Sequence, residues 1–93
     1  MKKITLSVDF DGVIRDCQTD EPVEGAIVAM RWLKSKGRII IISTARDDLD
    51  KVQKWLDKYN IKYPLTNRKI KATAIIDDRA IRFINWKDIT SYF

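Results

Sequence analysis

The sequence predicts an α/β fold, a three-layer Rossmann-like domain with a small parallel sheet of about four strands flanked by helices. Three observations lead there. Apolar periods of strand type and helix type alternate along the chain. Residues 38–43 are β-branched and apolar on both faces, as in a strand covered by helices on two sides. Two acidic pairs, Asp9 with Asp11 and Asp77 with Asp78, each follow an apolar run. In open α/β sheets, ligands gather beyond the carboxyl ends of the strands.

Each element has its own signal. Residues 4–8 alternate apolar and polar positions and read as the first strand. Residues 11–21 are polar and rich in turn formers, which predicts a loop, with Gly12 free to turn sharply after the strand. Pro22 suits the first turn of a helix, and Val23, Ile27, Met30 and Leu33 carry its apolar stripe until Gly37. The second strand ends at Thr44. A second helix is expected from about Asp47, with acidic residues near its positive end and Leu49, Val52, Leu56 and Tyr59 on its buried side. Asn60 can close it. Residues 61–63 make a short strand that Pro64 ends or confines to an edge, and residues 72–76 supply the fourth. Ile81, Phe83, Ile84, Trp86 and Ile89 are expected to pack on the sheet. Trp32, Trp55 and Trp86 read as core or subunit contacts rather than a base-stacking platform.

At 93 residues the chain is read as one domain, 1–93, with a single core. No apolar run approaches a membrane span and the first residues do not resemble a signal segment, so a cytoplasmic protein without membrane association is expected. Cys17 is the sole cysteine and histidine is absent, which excludes an internal disulfide and a Cys/His catalytic pair. The net charge is +5. That field favours a phosphorylated substrate, large or polyanionic; nucleic acid is compatible but unsupported, because Lys51, Lys54 and Lys58 recur at helical spacing without interleaved aromatics.

Like charges about 4 Å apart repel by roughly 4 kcal/mol at an effective dielectric near 20, so converging carboxylates ask for a cation or a proton. Asp9 with Asp11, Thr44, Lys69, and Asp77 with Asp78 all fall at or just beyond expected strand ends. Together they offer a nucleophile, an acid, a hydroxyl and an ammonium for phosphate oxygens, and oxygen ligands for magnesium.

In these segments the chain resembles the haloacid dehalogenase-like (HAD) superfamily of phosphohydrolases. The first motif is Val8-Asp9-Phe10-Asp11-Gly12-Val13, the second Ile41-Ile42-Ser43-Thr44, the third a lysine before the last core strand, and the fourth Ile75-Ile76-Asp77-Asp78. The resemblance spans residues from about 4 to 80. It implies a Mg2+-dependent phosphatase in which Asp9 attacks phosphorus and becomes an aspartyl-phosphate, while Asp11 acts as acid and then as base for water. Thr44, or Ser43 beside it, would bind the transferred phosphoryl group, and Lys69, with Lys71 as competitor, would neutralise it. Magnesium would be held by Asp9, the backbone carbonyl of Asp11 and one of Asp78 and Asp77, with Asp78 favoured. Arg46 and Arg79 adjoin motif residues and could reach a substrate phosphate or make local ion pairs. Retention of Asp11 points to phosphoryl chemistry rather than halide displacement.

Many members of that superfamily carry a cap domain, and this chain has no room for one. An open site suits a large substrate, or a small one covered by a partner subunit, so a homo-oligomer is compatible. Two other readings remain. A phospho-accepting receiver-type binding module also combines Asp, Thr, Lys and magnesium, but in a different order along the chain. A non-catalytic HAD-like domain serving as an assembly part is the other. The bland reading of each acidic pair is a turn or a helix cap.

Overall fold

The computed structural model describes residues 4–68, 70–76 and 86. Its centre is a parallel sheet of four strands in the order β3-β2-β1-β4. The elements are β1 (Thr5–Asp9), α1 (Ala26–Ser35), β2 (Ile39–Ser43), α2 (Leu49–Lys58), β3 (Leu65–Thr66) and β4 (Ala74–Ile76). The chain steps outward from β1 through β2 to β3, then returns to the far side of β1. The direction of travel therefore reverses at β1, the place where ligands bind in open α/β sheets. This order is consistent with a Rossmann-like arrangement.

Register decides which side chains share a face. Leu6 lies beside Ile40 and Ala74, and Val8 beside Ile42 and Ile76. These positions face one core, which α1 completes with Ala26, Ala29, Met30 and Leu33, and α2 with Val52 and Leu56. Both crossovers step the same way across the sheet, so their right-handedness sends both helices to that one face. On the other face Ile39 and Ile75 remain 39% and 45% exposed. Among the described residues the helices thus cover one face, not both. Four consecutive isoleucines cannot report which face is buried, because every position carries the same side chain.

Helix ends follow their local chemistry. Gly37 closes α1: its N–H donates to the Lys34 carbonyl and that of Arg38 to the Leu33 carbonyl. Its φ of 84° is costly for any residue with a Cβ. Asn60 closes α2 in the same way, at φ 56°, with the Ile61 N–H bound to the Leu56 carbonyl. Ile61 is therefore buried as the tail of this cap rather than paired in a strand. The third strand begins only after Pro64, whose carbonyl accepts the Ile42 N–H.

α1 starts at Ala26, later than the sequence suggests, because Pro22 and Val23 are engaged elsewhere. The Phe10 carbonyl accepts N–H groups from Val13, Ile14 and Arg15, which makes one tight turn after β1. A short antiparallel ribbon follows, in which Val23 donates to Ile14 and Asp16 to Glu21. Val13 and Ile14 are buried, so this excursion from the sheet is anchored in the core. Trp86 is also buried there, and its indole N–H donates to the Val13 carbonyl at 3.1 Å. Trp55 is half-buried against Phe10 and Tyr59, whereas Trp32 is 42% exposed. Among the described residues no helix is long and apolar enough to cross a membrane.

Candidate functional site

Parallel strands all end at the same edge, and Asp9 is the last residue of β1, in register with Ser43 at the end of β2. Two residues earlier on the same side of β1, Ser7 is 4% exposed and its hydroxyl lies 2.8 Å from that of Ser43. Thr44 leaves the sheet here. Its N–H donates to the Thr66 carbonyl at 3.1 Å and its Oγ1 accepts the Arg46 N–H at 3.2 Å. These contacts shape a cleft of about 270 Å³ lined by Ser7, Asp9, Ser43, Thr44, Asn67 and Arg68. A carboxylate, three hydroxyls, an amide and a guanidinium on one surface are a set that can bind and polarise a phosphoryl group.

Sequence reasoning brought Asp9, Ser43 and Thr44 here, and missed Ser7, Asn67 and Arg68. Ser7 looked like an ordinary polar position of an alternating strand. Asn67 and Arg68 directly follow β3, which is at residues 65–66 and not at 61–63, and this places them at the carboxyl edge. The Thr66 Oγ1 accepts the Arg68 N–H, and the Asn67 amide donates to the Arg46 carbonyl, so both residues are held in place. Lys71 is exposed and does not line the cleft. Lys69, Asp77, Asp78 and Arg79, like Ile81, Phe83, Ile84 and Ile89, lie outside the described residues.

Asp11 sits in a different set of contacts. Its Oδ1 is 2.9 Å from Arg15 Nη1 and 3.3 Å from Arg46 Nη1. Arg15 is in turn held by Asp20 at 2.7 Å, and Arg46 by Asp48 through two bonds of 2.8 and 2.7 Å. The result is a chain of charges, Asp20, Arg15, Asp11, Arg46 and Asp48, linking the ribbon after β1 to the start of α2. Hydrogen bonding to Arg15 holds the Asp20 carboxyl below its ordinary value, and hydrogen bonding to Arg46 does the same for Asp48. The Arg46 guanidinium is pushed up, chiefly by its bonds to Asp48. Engagement with Asp48 also explains why Asp48, though placed to cap α2, makes no side-chain cap bond. Arg46 thus makes the local ion pair that its neighbours in sequence allowed.

Magnesium favours hard oxygen ligands, and the Asp9 carboxylate with the Asp11 main-chain carbonyl is a donor set of that kind. Among the described residues no group of three or more His, Cys, Asp or Glu could hold a metal ion. The other two carboxylates of the expected set follow Ile76, which β4 places beside Val8, one residue before Asp9 on the neighbouring strand.

No protein-family model and no curated protein matches the chain. Among solved structures, a conserved protein from Bacteroides thetaiotaomicron is similar, with a TM-score of 0.81 and 23% sequence identity. The match covers 97% of this chain and 88% of that one. At this identity the likeness is one of fold.

Proposed function

We propose that the chain is a capless HAD-like phosphatase that hydrolyses a phosphoester through an aspartyl-phosphate on Asp9. The observation that carries the reading is the meeting of Asp9, Ser43, Thr44 and Arg68 around one cleft at the carboxyl edge of the sheet, next to the reversal of strand order. A carboxylate oxygen of Asp9 attacks phosphorus, the bond to the leaving oxygen breaks, and Asp11 supplies the proton that oxygen takes up. Asp11 then removes a proton from water, which attacks phosphorus and releases phosphate and the free Asp9 carboxylate. The Thr44 and Ser43 hydroxyls and the Arg68 guanidinium would bind the three non-bridging oxygens. Asp9, the Asp11 carbonyl and the acidic pair after β4 would hold Mg2+, which supplies positive charge against the charge that builds on the phosphoryl group.

For Asp11 to act on the leaving oxygen, its carboxylate must turn from Arg15 and Arg46 toward the cleft. A substrate phosphate competing for those guanidiniums would release it. The same ion pairs favour a second reading, a non-catalytic phosphate-binding domain in which Asp11 stays structural. Turnover of aryl and alkyl phosphoesters with and without magnesium, in wild type and Asp9→Asn, separates the two. Magnesium-dependent hydrolysis lost in Asp9→Asn supports the phosphatase. Activity that survives the substitution refutes the mechanism, and phosphate binding without turnover supports the binding domain.

A further inference from the structure

A second concave surface lies away from the Asp9 cleft. It is a groove of about 410 Å³ between the last turns of α1 and the segment that follows α2, lined by Arg31, Lys34, Ser35, Asn60, Lys62 and Tyr63. Three are cations, the others an amide and two hydroxyls, and no carboxylate is among them. The four ion pairs among the described residues all involve Arg15 or Arg46, so no described carboxylate neutralises Arg31, Lys34 or Lys62.

The groove is held on both sides. Met30 and Leu33 anchor the α1 wall in the core, and the opposite wall is fixed by the left-handed Asn60 and the buried Ile61. Lys34 Nζ sits 5.4 Å from the centre of the Tyr63 ring, which joins the two walls. Burial pushes the Tyr63 phenol up, with Arg31 opposing, so it remains a hydrogen-bond donor at neutral pH. The helix dipole accounts for Lys34 in the last turn of α1. It does not account for Lys62, which is on a different segment, or for a lining without a carboxylate among the described residues.

We infer that this groove is a second anion site, built for a multiply charged phosphate compound such as an oligophosphate. Guanidinium, ammonium and hydroxyl donors converging without a carboxylate leave a local positive field that an anion with several charged oxygens relieves. The groove lies near the amino ends of β2 and β3, whereas Asp9 is at the carboxyl ends. A strand of β2's length spans about 16 Å, so one phosphate cannot occupy both places. The inference does not depend on the proposed catalysis.

Pyrophosphate is the probe, titrated into the full isotope-labelled chain without metal and followed by amide resonances, with sodium sulfate at matched ionic strength as a second arm. Saturable shifts at residues 31–35 and 60–63, tighter for pyrophosphate than for sulfate, are expected. In a variant carrying Arg31→Glu and Lys62→Glu, affinity should fall by about tenfold or more, the scale of losing charge-assisted contacts. Both positions are exposed, so the thermal midpoint should stay near that of wild type. Lys34→Gln gives a milder second variant, with an intermediate loss. Equal response to both salts, undiminished affinity in the variants, or shifts confined to the Ser7, Ser43 and Asn67 region would overturn the inference. Phosphatase turnover enters none of these readouts, so either idea can fail alone.

Discussion

The hydroxyls of Ser7 and Ser43 meet at 2.8 Å across two neighbouring parallel strands, on the face of the sheet that runs on to Asp9. Ser7 is buried, so its hydroxyl is committed to this contact rather than to bulk water. Ser7→Ala should cost about 1 kcal/mol, the usual net worth of such a bond, with urea unfolding as the measurement. A cost near zero would mean that the Ser43 hydroxyl finds an equal partner elsewhere.

Ser43 and Thr44 both line the cleft, but their commitments differ. The Ser43 hydroxyl is shared with Ser7, while Thr44 Oγ1 accepts the Arg46 N–H and can still donate its proton. In the proposed reaction the Thr44 hydroxyl is therefore the stronger phosphoryl donor. Thr44→Val should lower kcat by about 10²-fold, the scale of one lost transition-state donor, and Ser43→Ala by clearly less. Steady-state kinetics with an aryl phosphate decides the order, and the reverse order would assign the role to Ser43.

The ion-pair chain through Asp11 makes a prediction in acid. The Asp20 and Asp48 carboxyls are held below 3.8 by Arg15 and Arg46. A group depressed in the folded state contributes stability that is fully present above the unfolded value and is lost as pH falls through the folded value. The stability gap between wild type and a variant carrying Asp20→Asn and Asp48→Asn should therefore persist from neutral pH down to about 4 and close below it. Added salt should narrow the gap at neutral pH. Chemical unfolding across pH gives the comparison, and a gap that widens in acid would contradict the ion-pair account.

How much of this was legible beforehand depended on the kind of signal. β1, β2 and the acidic end of β1 were readable because strand period, Gly12 and the carboxylates coincide there. Asn60 was readable as a helix terminator because few residues other than glycine accept its backbone angles. The third strand was misplaced: Ile61 is apolar and followed by Tyr63, yet it caps α2 from within the core, a tertiary preference that local pattern does not carry. The Pro22 signal failed for a related reason. Proline at a helix start and proline in an edge ribbon share the same φ, and the backbone bond from Val23 to Ile14 settles the matter. The partners of Asp11 were half visible. Arg46 adjoins motif residues in the sequence and reads as a possible ion-pair former, whereas Arg15 becomes a partner only through the tight turn at Phe10.

Gly25 enters α1 at φ 83°, and among the described residues a Cβ there would meet only the Trp86 Cβ, at an ordinary 3.6 Å. Gly25→Ala should therefore destabilise through backbone strain, by about 1 to 2 kcal/mol. Trp86→Phe, which removes the indole N–H donated to Val13, should cost a further amount of about 1 kcal/mol or more. Unfolding curves of the single and double variants test whether the costs add. The Cβ added at position 25 would lie against Trp86, so some coupling is expected.

Magnesium should raise the melting midpoint of wild type by mass action if Asp9 is among its ligands. The increase should be smaller in Asp9→Asn, and calcium, which tolerates looser geometry, serves as the comparison cation. A midpoint indifferent to either ion would count against the proposed donor set.

The brevity of β3 has a consequence for behaviour in concentrated solution. Four consecutive isoleucines are a segment that could stack into fibrils; in β2 all four pair with β1, and Ile42 pairs with β3 as well. Outside Ile42, among the described residues, β3 offers a border of two paired residues, introduced by a proline that has no N–H to give. A foreign strand finds little to pair with on β3 itself, and one edge of the isoleucine stretch is held along its whole length by β1 for as long as the native fold persists.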